Sequence, residues 1–237
     1  LNLRNTGLQK CPNVSSLKFT LQHLYIYDNQ ITNISLESFL LHNETENSFQ
    51  IFPKFIVFSF YNNPFTSLPD KLFHIMPNLQ SLWFHSSVRN LDLEPDLSML
   101  NETLETLLVS TILRPTPGMF GMKKLKKLLS RNYDKTLFQF SLPFLASLPK
   151  LELIDMWKTW RKYIPNLCTV LNSTSIVEIA FSSYSELQCD YNMCWIKDCS
   201  KVTFNQYAAA RPCQAPDYYN GMVWSSLNKT QLSCQGM

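Results

Sequence analysis

Seven cysteines, four histidines and six Asn-x-Ser/Thr triplets are the residues of this 237-residue chain whose types and spacing could carry chemistry. Six of the cysteines lie after residue 160, and Cys189, Cys194, Cys199, Cys213 and Cys234 crowd its C-terminal end. Such crowding reads as a disulfide framework in a secreted module. Zinc is the rival chemistry. Zinc ribbons use paired Cys-x-x-Cys, whereas the spacing here is Cys-x4-Cys-x4-Cys, and no histidine follows His85. No metal site and no cofactor is expected. The odd count leaves one cysteine free or paired outside the chain. The six triplets begin at Asn13, Asn33, Asn43, Asn101, Asn172 and Asn228, each an acceptor for an N-linked glycan in the same oxidising compartment.

Catalytic patterns are missing. His23, His42, His74 and His85 form no H-E-x-x-H arrangement, and the chain has no G-x-S-x-G elbow. Nothing local places a free cysteine beside His23 or His85. Glu102 and Glu105 read as solvent-facing carboxylates. Five glycines, none clustered, make no phosphate-binding loop. An enzyme is therefore not expected. A net charge of +3 and a pI near 8.4 are too mild for nucleic acid or an anionic membrane as main partner. No run approaches the roughly 18 apolar residues that would read as a membrane span. The chain opens on Leu1-Asn2-Leu3 with no signal peptide, as a mature or trimmed product would.

The elements that must position these residues are written as a repeat. Leu21-x-x-Leu24-x-Ile26-x-x-Asn29-x-Ile31-x-x-Ile34 is followed by Phe39; Phe55-x-x-Phe58-x-Phe60-x-x-Asn63-x-Phe65-x-x-Leu68 is followed by Phe73. Both fit the leucine-rich-repeat template L-x-x-L-x-L-x-x-N-x-L-x-x-L. Alternate apolar residues point inward from a short strand, and the Asn bonds turn backbone that would otherwise lack partners. Each unit leaves a face uncovered, so units stack. Weaker copies begin at Leu79, Leu104, Leu125, Leu148 and Ile176, and residues from Leu1 to Cys11 read as a truncated first copy. The anchors Leu1, Leu24, Phe58, Leu82, Leu107, Leu128, Leu151 and Ile179 are spaced near 24 residues apart, except for a step of 34 that places an insertion near 40–54. Thr6, Ser87 and Met156 are among the residues that replace the Asn. The fold expected is α/β: a curved solenoid of about seven or eight repeats, with parallel strands on its concave face and an irregular or short-helical convex side.

An open solenoid needs a cap over its last core face. Cys189-Asp190-Tyr191-Asn192-Met193-Cys194-Trp195-Ile196, then Cys213, Gly221, Leu227 and Cys234, resemble the C-terminal flanking cap of animal extracellular leucine-rich-repeat proteins, the class of Toll-type receptors and Slit-like proteins. The resemblance implies repeats over 1–187 and a cysteine-rich cap over 188–237. It also implies a Cys189–Cys213 disulfide. Cys234 is left with Cys194 or Cys199, with Cys194 favoured, and Cys168 is a candidate for the remaining one. The role of Cys11 stays open. Tyr191 stands where that family usually has a second cysteine, and Trp195 and Trp224 read as cap core.

Strand residues that do not point inward line the concave face. In the first three strong copies these are His23, Tyr25, Tyr27 and Asp28, then Ser59, Tyr61 and Asn62, then Ser81, Trp83, His85 and Ser86. Tyr25, Ser59 and Trp83 become lateral neighbours, as do Tyr27, Tyr61 and His85. Tyr and Trp dominate interface energetics, so a protein ligand or co-receptor is the expected partner. Farther along, Lys127, Arg131, Lys150, Glu152, Asp155 and Glu178 make the face charged. Lys123, Lys124, Lys126, Lys127 and Arg131 form a basic run that could hold an acidic glycan. The function expected is extracellular recognition, as a receptor ectodomain or secreted glycoprotein. Its rivals are a matrix or assembly subunit, homo- or hetero-oligomeric, and a glycosaminoglycan binder.

Overall fold

In a computed structural model, the described residues are 1–40, 51–88, 96–109, 115–131, 142–157, 168, 174–181, 187–199, 203–204 and 210–234. Eight strands run parallel in one sheet in chain order: β1 (His23–Tyr25), β2 (Val57–Ser59), β3 (Ser81–Phe84), β4 (Thr106–Val109), β5 (Lys127–Arg131), β6 (Leu153–Trp157), β7 (Glu178–Phe181) and β8 (Thr203–Phe204). Consecutive parallel neighbours are what a one-directional solenoid gives, since every strand is followed by a return path on the other side. The return paths carry the short 3-10 turns Ser15–Leu17, Leu36–Ser38, Leu72–Ile75, Ser98–Leu100 and Pro117–Met119, and the helix Leu142–Ala146.

One column of inward residues crosses the sheet in register: Leu24, Phe58, Leu82, Leu107, Leu128, Ile154 and Ile179. All seven are fully buried. Behind the early strands the core is aromatic. Phe58 and Phe60 lie 4.5 Å apart, and Phe60 stacks on Phe84 at 5.9 Å and 14°. Burying a Phe or Leu side chain contributes about 1.5–3 kcal/mol each, so this column is the main driving force for stacking. The insertion rejoins the core through Phe52, which is fully buried, donates its amide to the Ile75 carbonyl and meets Phe39 edge-on at 5.8 Å. Its residues 41–50, with Asn43, lie outside the described residues.

The asparagines of the template do what their chemistry dictates. Asn29 Nδ2 donates to the carbonyls of Leu3, Ile26 and Tyr27, and its Oδ1 accepts from the amides of Thr6 and Leu8. Asn63 Nδ2 donates to Ile26, Phe60 and Tyr61, and its Oδ1 accepts from Ile31. Each side chain thus ties its own turn to the preceding one.

Two register readings need correction. Ile154, not Leu151, pairs with Leu128 and Ile179. Leu148 and Leu151 are still buried, but they fill the approach to the strand. A leucine-rich run offers two equally apolar frames three residues apart, and stacking selects between them. In the third copy Ser86, not Ser87, bridges to Asn63 and is buried, its hydroxyl donating to the Phe65 carbonyl at 2.5 Å. Ser87 is exposed.

The sheet extends past residue 188, because β8 pairs with β7. Around it the C-terminal segment is held by disulfides Cys189–Cys213, Cys194–Cys234 and Cys168–Cys199. Cys11 is free and buried. Trp195, Trp224, Leu227 and Leu232 are buried over this end. Tyr191 opens a turn in which the Asp190 carboxylate accepts from the Asn192 amide. No helix among the described residues is long and apolar enough to cross a membrane.

Candidate protein-binding face

Because side chains alternate along a strand, the residues flanking the inward column face the concave side. Two outward columns result. One holds His23, Val57, Ser81, Thr106, Lys127, Leu153, Glu178 and Thr203; the other holds Tyr25, Ser59, Trp83, Leu108, Leu129, Asp155 and Ala180. Just beyond the strands a third row forms. Tyr27 stacks on Tyr61 at 4.6 Å and 10°, and Tyr61 tilts against Trp83 at 6.2 Å. Tyr25 meets Tyr27 edge-on at 6.4 Å. The Arg4 guanidinium sits 5.1 Å from the Tyr27 ring centre and bonds Asp28 at 3.1 Å. That hydrogen bond, reinforced by nearby phenols, raises the Arg4 pKa above its ordinary value.

The row is fixed from below by backbone geometry. Asn5, Asp28 and Asn62 occupy the same place in successive repeats, each with positive φ (51°, 57° and 59°). Asn and Asp tolerate this left-handed turn better than other side-chain-bearing residues. Asn62 Nδ2 donates to Asp28 Oδ1 at 2.8 Å, so the turn residues also link sideways. The sequence shows Asp28 and Asn62 as concave polar residues. The requirement for positive φ is what places them there.

The face is neither as wet nor as charged as the sequence implies. His23 is exposed, and Tyr25, Tyr27, Asp28, Tyr61 and Trp83 are half-buried, as an accessible surface requires. Asn62 is exposed. Ser59, however, is fully buried between the larger residues of the flanking strands, and His85 is 7 % exposed. Neither offers itself to a partner without movement of its neighbours. In the later repeats the register correction removes Lys150 and Glu152 from the strand. Leu108, Leu129 and Leu153 stand instead on the outward columns. Leu108 is itself fully buried, so Val57, Leu129 and Leu153, half-buried like Trp83, make the middle of the face apolar. Sequence reasoning missed these leucines because outward and inward leucines look alike in a leucine-rich run.

The basic run is divided by its neighbours. Lys123 pairs with Glu102 at 2.5 Å and Lys126 with Glu105 at 2.9 Å, each reaching across to the preceding repeat. The Glu105 hydrogen bond raises the Lys126 pKa. Lys124 and Lys127 are exposed. Arg131 ends β5, and its side chain lies outside the described residues. Among the described residues no cluster of His, Cys, Asp and Glu could hold a metal ion.

The sequons sit elsewhere. Asn13 and Asn33 precede the 3-10 turns Ser15–Leu17 and Leu36–Ser38, Asn101 follows Ser98–Leu100, and Asn228 lies in the capping segment after Trp224–Ser226. None of the four is on a strand. Asn43 and Asn172 are outside the described residues.

By sequence, no family model and no curated protein matches the chain. By structure, it is similar to leucine-rich-repeat proteins. Human 5T4 (Wnt-activated inhibitory factor 1, trophoblast glycoprotein) is 17 % identical, with a TM-score of 0.60 over 96 % of this chain and 92 % of that one. A chain in an octameric complex of Latrophilin 3, Unc5D and FLRT2 (LRR) is 18 % identical, with a TM-score of 0.55 over 90 % and 76 %. A chain of a TLR13–ssRNA13 complex is 16 % identical, with a TM-score of 0.54 over 91 % of this chain and 37 % of that chain.

Proposed function

From a leucine-rich-repeat solenoid with a disulfide-bonded C-terminal end, which the fold shows this chain to be, we propose an extracellular, non-enzymatic recognition module that binds a protein partner through its concave face. The observation that carries this reading is the half-exposed aromatic row Tyr27–Tyr61–Trp83, held across three successive repeats. Rings preorganised by stacking lose little freedom on binding, which is what makes Tyr and Trp efficient interface anchors. The sequons add a second support. Glycans at Asn13, Asn33, Asn101 and Asn228 would coat the turns and the capped end and leave the strand face open. Disulfides and sequons together support a location outside the cytosol, as a secreted protein or an ectodomain. The similar chains found with Latrophilin 3 and Unc5D, and with ssRNA, are parts of complexes, which fits a recognition role.

The glycosaminoglycan alternative is less well supported, because Glu102 and Glu105 neutralise half of the lysine run. The deciding experiment screens the glycosylated chain against a panel of purified extracellular domains, alongside Tyr25→Ala and Tyr61→Ala. A domain bound by the wild type should lose about tenfold or more in affinity to each variant, as anchors do. Melting temperatures should stay close to wild type, since both residues are half-exposed. Undiminished binding by both variants would move the interface off this face.

A further inference from the structure

Ser59 is out of place energetically. It points toward the concave face, yet it is fully buried, and its hydroxyl has no hydrogen-bond partner among the described residues. Its register neighbours are Tyr25 on β1 and Trp83 on β3. The indole Nε1 of Trp83 is likewise buried and without a partner. Two orphaned donors thus stand on adjacent strands, about 4.8 Å apart in backbone spacing. Leaving a buried donor unpaired costs stability, and native proteins rarely retain two side by side without use.

The Trp83 indole can only donate and the Ser59 hydroxyl can donate as well as accept, so a single acceptor completes both. A carboxylate is disfavoured. Arg4, the guanidinium in the aromatic row, is already committed to Asp28, and a buried anion without a cation is costly. A neutral carbonyl has the required chemistry. Along the outward column the fully buried Leu108 and then the half-buried Leu129 follow Trp83, so the surroundings of the notch are apolar.

We infer that Tyr25, Ser59 and Trp83 form a closed notch that opens to take a neutral carbonyl oxygen from an extended segment of the bound protein. Ser59 Oγ–H and Trp83 Nε1–H donate to that oxygen, and the Tyr25 and Trp83 rings part to form the walls. This rests on the concave-face reading and gives it a specificity element: the Trp83 indole requires a partner to offer an uncharged acceptor at this point.

The test uses the folded chain with 15N-labelled tryptophan and N-methylacetamide as a peptide-carbonyl probe. Trp83→Phe identifies the Trp83 indole resonance. On titration that resonance should move downfield and saturate, with the shift reduced about threefold or more in Ser59→Ala. Ser59→Ala should also melt no lower than wild type, because it removes an orphaned donor. An indole resonance that does not respond, or that drifts linearly like an exposed one, overturns the notch. So does a Ser59→Ala melting temperature well below wild type, the sign of a hydroxyl already satisfied by internal water. The two readings fail separately. A panel domain whose affinity falls in Tyr61→Ala but not in Ser59→Ala or Trp83→Phe leaves the concave interface standing and removes the notch. Indifference to Tyr61→Ala and Tyr25→Ala removes the interface itself.

Discussion

Asn63 shows how much one side chain can hold. Its four hydrogen bonds join the turn after β2 to the turn after β1, and the residue is fully buried. Asn63→Ala would take the partner from the Ile31 amide and the Phe60 carbonyl, while the Ile26 and Tyr61 carbonyls keep their bonds from Asn29 Nδ2 and the Asp28 amide. A loss of about 2–4 kcal/mol is expected, read as a lower urea midpoint. Cys11 is the opposite case, a reactive type made inert by position. Burial pushes its thiol up to about 11, so almost no thiolate exists at neutral pH. Iodoacetamide should leave Cys11 unmodified at pH 7 in the native protein and label it rapidly in denaturant. Labelling of the native chain would mean that the first repeat opens on its own. At this scale the sequence spoke clearly where chemistry is local. Asn29 and Asn63 were readable from the template because the turn needs their amides. The burial of Ser59 and His85 was not, because it depends on the size of residues on neighbouring strands. The slip from Ser87 to Ser86 was hidden because two adjacent serines carry no register information.

The strands were legible as elements wherever the inward positions held Leu, Ile or Phe between polar residues. The sixth strand was misplaced by three residues because Leu148, Leu151, Leu153 and Ile154 satisfy more than one frame. Only packing against β5 and β7 decides. The convex turns carry their own constraints, and Gly118 is the sharpest. A Cβ there would lie 2.9 Å from the Ser98 amide nitrogen and 3.0 Å from that of Leu97, both backbone atoms of the preceding turn. Gly118→Ala should therefore separate the turns Ser98–Leu100 and Pro117–Met119 and cost about 1–3 kcal/mol. Gly121 has positive φ (72°) but open space around it, so Gly121→Ala should cost only the backbone strain, about 1 kcal/mol. Thermal melts of the two variants separate close contact from conformation. An equal effect would argue that the turns are not packed as tightly as these distances require.

For the molecule as a whole, repeat stacking makes stability nearly one-dimensional: each unit leans on its neighbours, and the ends fray first. Composition and cysteine crowding revealed the overall plan, and the missing cysteine at Tyr191 did not disturb it. The C-terminal end is where covalent bonds replace a next repeat. Cys194–Cys234 joins the start of the helix Cys194–Asp198 to a segment 40 residues later, and Cys189–Cys213 closes a second loop that overlaps it. Closing a loop of that length restricts the unfolded chain by about 4 kcal/mol in the entropic account. In a one-dimensional stack this loss should stay local. Replacing Cys194 and Cys234 together by Ser should therefore speed amide hydrogen exchange in β7 and β8 while β1 to β3 keep their protection, and the Tyr27–Tyr61 stack should still bind its partner. Protection falling equally from β1 to β8 would mean that the repeats and the capped end unfold as one cooperative unit. The aromatic face would then depend on a disulfide at the far end of the sheet.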